Sequence, residues 1–123
     1  MRSISHLPGV AETWTDCGRI AILICYDIEF PEVARAHAES GTDILFVPTG
    51  LMAPFEVVSN ILVPARAYEN QLYVAYVNRC DVEAELRYCG LSCAISPDGT
   101  ALARAAGQLH GLPTPVWSAG AVR

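Results

Sequence analysis

Lysine is absent from this 123-residue chain: all eight basic residues are arginines. Chemistry that needs an ammonium, such as a Schiff base, is therefore not supplied by these residues. Charge is sparse, at 17%, and acidic residues outnumber basic ones thirteen to eight. A net charge of -5 with scattered arginines gives no concentrated positive patch, which excludes nucleic acid and anionic membrane as partners. Long apolar runs are missing too. The longest, Ile20 to Cys25, falls far short of the roughly 20 residues of a membrane span. Met1 to Val10 has one arginine and no apolar stretch, so it does not read as a secretory signal. Disorder is excluded for most of the chain by its 52% hydrophobic content. The five cysteines, at 17, 25, 80, 89 and 93, are odd in number, and reduced thiols in a cytoplasmic setting are expected.

What is present reads as one mixed α/β domain over residues 1–106, followed by an irregular tail at 107–123 rich in Gly, Pro, Ser and Ala. Residues 1–17 read as a loop. Ile20 to Cys25 is short, apolar and rich in β-branched residues, the pattern of a strand buried on both faces. A helix begins at Pro31, where a missing N–H costs nothing, and acidic residues at 27, 29 and 32 suit the positive end of its dipole. Phe30, Val33, Ala34, His37 and Ala38 form its core-facing stripe, so His37 reads as a core residue, and Gly41 ends the helix. Ile44 to Val47 is a second buried-type strand, stopped by Pro48. Residues 57–71 look helical with a break at Pro64, residues 72–78 and 91–96 are strands, and Pro97-Asp98-Gly99 turns into a last strand at 100–105. Strand, helix, strand from 19 to 48 is a βαβ unit.

Cys25 is the strongest chemical signal. It stands where a buried strand ends and a helix is about to start, at the sheet edge that open α/β folds use for ligands. A helix N-terminus favours thiolate and offers N–H groups to an oxyanion, the logic of a nucleophile elbow. Spacing alone leaves open a second reading, a buried cysteine acting as a small hydrophobe. Cys80, Cys89 and Cys93 invite a metal reading, and Cys89 and Cys93 have the spacing of half a zinc site, but Leu91 to Cys93 reads as strand and the histidine downstream, His110, lies in the tail, so ordinary thiols are expected there. Arg66 and Glu69 lie in an apolar segment and read as a structural ion-pair cluster, with Asp27, Glu32 and Arg79 as further candidate members.

The ordered blocks Gly18-Arg19-Ile20, Leu23-Ile24-Cys25-Tyr26-Asp27, Phe30-Pro31-Glu32, Ala65-Arg66-Ala67, Glu69-Asn70-Gln71, Asn78-Arg79 and Pro97-Asp98-Gly99 resemble the carbon–nitrogen hydrolase (nitrilase/amidase) superfamily. The resemblance implies a four-layer α-β-β-α sandwich, of which this chain is a part with the amino-terminal half missing. It implies hydrolysis of an amide or nitrile through a cysteine thioester, no metal or organic cofactor, and homo-oligomers in the full-length family. Carried onto this sequence, the nucleophile is Cys25 and the Tyr26 backbone N–H is an oxyanion donor. Glu12 matches an accessory active-site glutamate. The segment Met52 to Glu56 is a candidate pocket wall. The family's lysine stands two residues before a His-Leu pair; here His6-Leu7 is present but the matching residue is Ile4. The interval from His6 to Cys25 leaves little room for the hairpin customary there. The alternative is a catalytically inactive, partner-binding domain.

Overall fold

The computed structural model describes residues 11–106, apart from the side chains of Ala11, Glu12 and Trp14. The expected tail, along with Ile4 and His6, lies outside the described residues. Among the described residues no helix is long and apolar enough to cross a membrane.

The Ile20–Cys25 run forms strand β2 (Gly18–Ile22), and a three-residue-per-turn helix takes over at Cys25–Glu29. Helix α1 (Pro31–Glu39) starts at the proline, and Gly41 follows with φ +98, a conformation open to glycine without strain. Strand β3 (Ile44–Thr49) then lies parallel to β2, with Ile20 opposite Ile44, which completes the βαβ unit. Helix α2 (Val63–Asn70) leads into β4 (Tyr73–Asn78), parallel to β3 in the register Ile44 to Tyr73. A small hairpin of β5 (Val82–Glu83) and β6 (Leu86–Arg87) follows, then β7 (Cys93–Ile95) and β8 (Ala101–Arg104), both antiparallel to their neighbours. The six-stranded sheet has the order β1-β2-β3-β4-β7-β8, where β1 is Ala11–Thr15.

Both helices cover the same sheet face. Ala21, Leu23, Leu45, Val47, Val74 and Ile95 from the strands pack there with Ala34, Val63 and Ala67 of the helices. His37 is fully buried in this layer, as its place on the apolar stripe predicts. The opposite face carries Ile22, 40% exposed, and Val77, 56% exposed, with Pro48 also open. The described residues thus form one sheet layer and one helix layer, two of the four layers of an α-β-β-α sandwich.

Three local expectations are corrected. Residues 11–15 are not loop but strand β1, paired with β2 so that Glu12 faces Ala21. The hairpin fits because Thr15 closes its tight turn: its hydroxyl donates to Gly18 O at 2.9 Å and accepts from Cys17 N–H at 3.2 Å. Pro48 does not stop β3, which runs on to Thr49. Leu23 N–H donates to Phe46 O, so even-numbered residues of β3 turn their backbone toward β2, and at Pro48 β2 has already ended. The missing N–H therefore costs no ladder bond. Pro64 does not break the helix from inside. A wide turn at Val58–Leu62, closed by Val63 N–H donating to Val58 O, precedes α2, and Pro64 falls in the first turn of that helix. The β5–β6 hairpin was not legible in the sequence.

Candidate functional site

Because β2, β3 and β4 are parallel, their carboxyl ends share one edge of the sheet. Cys25, Thr49 and Asn78 stand at or just beyond those three ends. The chain leaves β2 through an extended Ile24 and turns sharply at Cys25, whose φ of +54° is left-handed. A side chain in that region costs of order 1–2 kcal/mol, and such strain concentrates at working sites. The elbow geometry expected from the sequence is thus present. The sulfur is half-buried, and the Thr49 hydroxyl donates to it at 3.3 Å. The Tyr76 hydroxyl in turn donates to Thr49 Oγ1 at 3.4 Å. Burial of Tyr76, 1% exposed, pushes its phenol up from 10.0 to about 12 despite the bond to Thr49.

The turn is held from both sides. Asp27 N–H donates to Ile24 O at 3.2 Å, and Ile24 N–H reaches Asp27 Oδ2 at 3.4 Å. From α2, Arg66 donates through Nε to Ile28 O at 3.0 Å and through Nη2 to Glu29 O at 2.9 Å, while Nη1 reaches Glu69 at 3.2 Å. The expected ion-pair role of Arg66 is therefore corrected in its partners. Asp27, Glu32 and Arg79 take no part, because Arg66 is 7% exposed and its guanidinium is turned onto the two carbonyls beneath the Cys25 turn. Arg79 instead pairs with Asp81 at 2.6 Å and Glu83 at 2.7 Å on the surface.

Asn78 pins the neighbouring loops. Its amide accepts from Leu51 N–H at 2.8 Å and donates to Leu51 O at 3.1 Å and Gly90 O at 3.0 Å. Ser92 closes the same junction against the Asn78 backbone. The segment from Met52 to Glu56 is anchored by a bridge from Met52 to Tyr88 and by Ala53 N–H donating to Arg87 O at 2.9 Å. Exposed Ile24 and Tyr26, the latter edge-on to Phe30 at 4.8 Å, give the Cys25 turn an apolar rim. The Tyr26 backbone N–H lies in the first turn of the short helix, where N–H groups have no partner within the helix.

The backbone of Glu12 is the second position of strand β1, opposite Ala21. Cys89 is buried with its thiol donating to Leu51 O at 3.2 Å, and Cys93 is buried against Ser59 at 3.9 Å; burial pushes both thiols up. Among the described residues no three His, Cys, Asp or Glu side chains converge as metal ligands do. A cavity of about 270 Å³ lies over β4, β7 and β8, lined by Ala75, Val77, Leu91 and Ala103 among others, and does not include Cys25. Sequence reasoning missed Thr49 and Tyr76. The edge argument that singles out Cys25 also applies to Thr49, a hydroxyl at the end of a buried strand just before Gly50.

This is an α/β protein whose parallel strands present a strained cysteine at the ligand edge of the sheet. More specifically, the chain belongs to the carbon–nitrogen hydrolase family, whose model matches residues 6–112. It is 49% identical over 90 residues to a Pseudomonas protegens protein named as the hydrolase in the pqqF 5' region, covering 73% of this chain and 32% of that one. It is 42% identical over 85 residues to an (R)-stereoselective amidase of a Pseudomonas species, covering 68% of this chain and 31% of the relative. Among solved structures, an amidase from a Nesterenkonia species superposes with a TM-score of 0.77 at 36% identity, covering 80% of this chain and 38% of that chain. A variant of the Nesterenkonia amidase carries the acetamide moiety of fluoroacetamide, covalently added at its active-site cysteine. The chain spans about a third of the length of the curated relatives it matches.

Proposed function

We propose that this chain carries the nucleophile-bearing part of an enzyme that hydrolyses a non-peptide carbon–nitrogen bond, in an amide or nitrile, through a thioester on Cys25. The observation that supports it most directly is the left-handed Cys25 at the carboxyl edge of the parallel strands in a member of this family. In the amide case the Cys25 thiolate attacks the carbonyl carbon, and the carbonyl oxygen takes the negative charge. The Tyr26 N–H donates to that oxygen. When the tetrahedral species collapses, the C–N bond breaks, the nitrogen takes up the proton that the Cys25 thiol gave up on ionising and leaves as ammonia, and the acyl group remains on sulfur. Water then adds to the thioester and releases the acid and the thiol. A nitrile reaches the same thioester by way of a thioimidate and one further water.

Two parts of that sequence are thinly supplied by these residues. A charged oxyanion donor is missing, since no lysine exists and Ile4 stands where the family places one. Loss of one oxyanion donor typically costs about 10²–10³ in rate. The residue this reading assigns as general base for water is Glu12, whose backbone lies on the outer strand of the hairpin. The chain as written is therefore expected to accept an acyl group at Cys25 without sustained turnover, because catalytic groups that act as a unit are strongly non-additive. The setting that suits this chemistry is cytoplasmic, with free thiols, and the partners are the small-molecule substrate and further copies of the chain.

A second reading, an inactive partner-binding domain, is favoured by the absence of lysine together with the open apolar sheet face around Ile22 and Val77. Fluoroacetamide treatment followed by peptide mass analysis, run beside an ammonia assay with amides and nitriles, separates the readings. An acetamide adduct at Cys25 that is absent in Cys25→Ser supports the hydrolase reading. An unmodified Cys25 in folded protein refutes it. Ammonia released over many equivalents, and lost in Cys25→Ser, would show that the chain assembles a complete site.

A further inference from the structure

We propose that Thr49 and Tyr76 form a hydroxyl relay that orients the Cys25 sulfur and supports it as an anion, with Tyr76 donating to Thr49 and Thr49 donating to Cys25. The inference rests on the reading of Cys25 as the nucleophile and adds two positioning residues to it. The three residues come from three successive segments: the turn after β2, the end of β3, and β4, where Tyr76 lies two residues before the strand end.

The sense of donation follows from the inventory of protons. A threonine hydroxyl has one proton to give and can accept at the same time. Tyr76 is 1% exposed and its phenol is pushed up to about 12, so it keeps its proton throughout the physiological range and acts as the donor to Thr49 Oγ1. That leaves the single Thr49 proton for Cys25 Sγ, 3.3 Å away. A neutral thiol accepts weakly and a thiolate accepts strongly, so this bond gains strength when Cys25 ionises, and a hydrogen bond made preferentially to the charged form favours that form. The Tyr76 link, at 3.4 Å, is longer than the usual O–H···O distance of about 2.7–2.8 Å, so its effect is the smaller of the two.

The surrounding charges give the relay something to offset. On its own turn Cys25 has Asp27 and Glu29, both of which oppose an anion, and the exposed Tyr26 phenol. Arg66 of α2, which clamps the end of the same turn, directs its donors to Ile28 O, Glu29 O and Glu69 rather than to the sulfur. Thr49 and Tyr76, from β3 and β4, are the polar side chains that the described hydrogen bonds connect to Sγ. A valine at position 49 would serve β3 equally well as a strand residue, so the hydroxyl is the part of Thr49 that the relay uses.

The test is the pH dependence of iodoacetamide labelling at Cys25 in the full chain, read by peptide mass analysis so that exposed Cys17 and half-buried Cys80 do not contribute. Thr49→Val is expected to shift the labelling profile to higher pH and slow labelling near neutrality about three- to tenfold. Tyr76→Phe shifts it in the same direction by about twofold, and Thr49→Ser restores the wild-type profile. Circular dichroism confirms that each variant keeps its secondary structure. A Thr49→Val profile that overlays wild type overturns the relay. Equal slowing in Thr49→Val and Thr49→Ser overturns it as well, since the methyl packing and not the hydroxyl would then matter. The hydrolase reading fails separately: a Thr49-dependent Cys25 profile with no fluoroacetamide adduct keeps the relay and removes the enzyme, whereas an adduct with no Thr49 dependence does the reverse.

Discussion

Replacing Arg66 by Ala removes the clamp beneath the Cys25 turn, and its cost can be worked from the contacts. The guanidinium makes charge-assisted hydrogen bonds to Ile28 O and Glu29 O, and each bond of that kind is worth about 1.5–3 kcal/mol. Ile28 is fully buried, so its carbonyl is left without a donor; Glu29 is partly open, and water replaces most of what is lost there. The pair with Glu69 reaches a carboxylate whose side chain is 38% exposed, and screening holds that contribution under about 1 kcal/mol. Arg66→Ala is therefore expected to destabilise by about 3–4 kcal/mol, the Ile28 bond supplying the largest share. Glu69→Ala should cost under about 1 kcal/mol. Urea unfolding followed by circular dichroism reads the total; with a slope of about 1–3 kcal/mol/M, the Arg66→Ala midpoint falls by between about 1 and 4 M. Hydrogen exchange reads the location: protection should fall first at residues 25–30, ahead of β3 and β4. A loss under about 1 kcal/mol, or Glu69→Ala matching Arg66→Ala, would refute the argument, because the surface pair and not the carbonyl clamp would then hold the turn.

Asn78→Ala removes the side-chain hydrogen bonds to Leu51 and Gly90 and leaves Leu51 N–H and Gly90 O to find water, while Leu51 O keeps the Cys89 N–H, so it should cost about 1–3 kcal/mol by urea titration and loosen the 50–56 loop. Tyr76 holds its proton to about 12 in the folded chain and to about 10.0 when unfolded. Its contribution is thus fully present below pH 10 and lost as pH rises toward 12, by up to about 3 kcal/mol, and Tyr76→Phe should lack that alkaline component in paired unfolding curves at pH 9 and 12. The open face at Ile22 and Val77 predicts that the isolated chain binds the dye ANS and elutes above its monomer mass; a monodisperse monomer that ignores the dye would contradict it.

Local signals decided much of this protein at the level of sequence. A short β-branched run marks a strand, although one face of β2 stays open at Ile22, and Pro31 and Gly41 bracket a helix because one lacks an N–H and the other tolerates positive φ. Those features placed β2, α1 and β3, put Cys25 at the junction of the first two, and, with the ordered blocks around it, pointed to the family. Other features exist only because distant segments meet. β1 is an edge strand whose identity depends on pairing with β2, so residues 11–15 carry too little pattern of their own. Pro48 is harmless only because β2 ends before it, and Pro64 only because a wide turn absorbs it. Arg66 chose backbone carbonyls 37 and 38 residues away over the carboxylates that sequence suggests. Thr49 and Tyr76 lie 24 and 51 positions from Cys25, and nothing in their own neighbourhoods marks them as a pair. Parallel strands place residues of remote sequence at a common edge, and which side chains meet there is set by register, a tertiary property that no local propensity encodes.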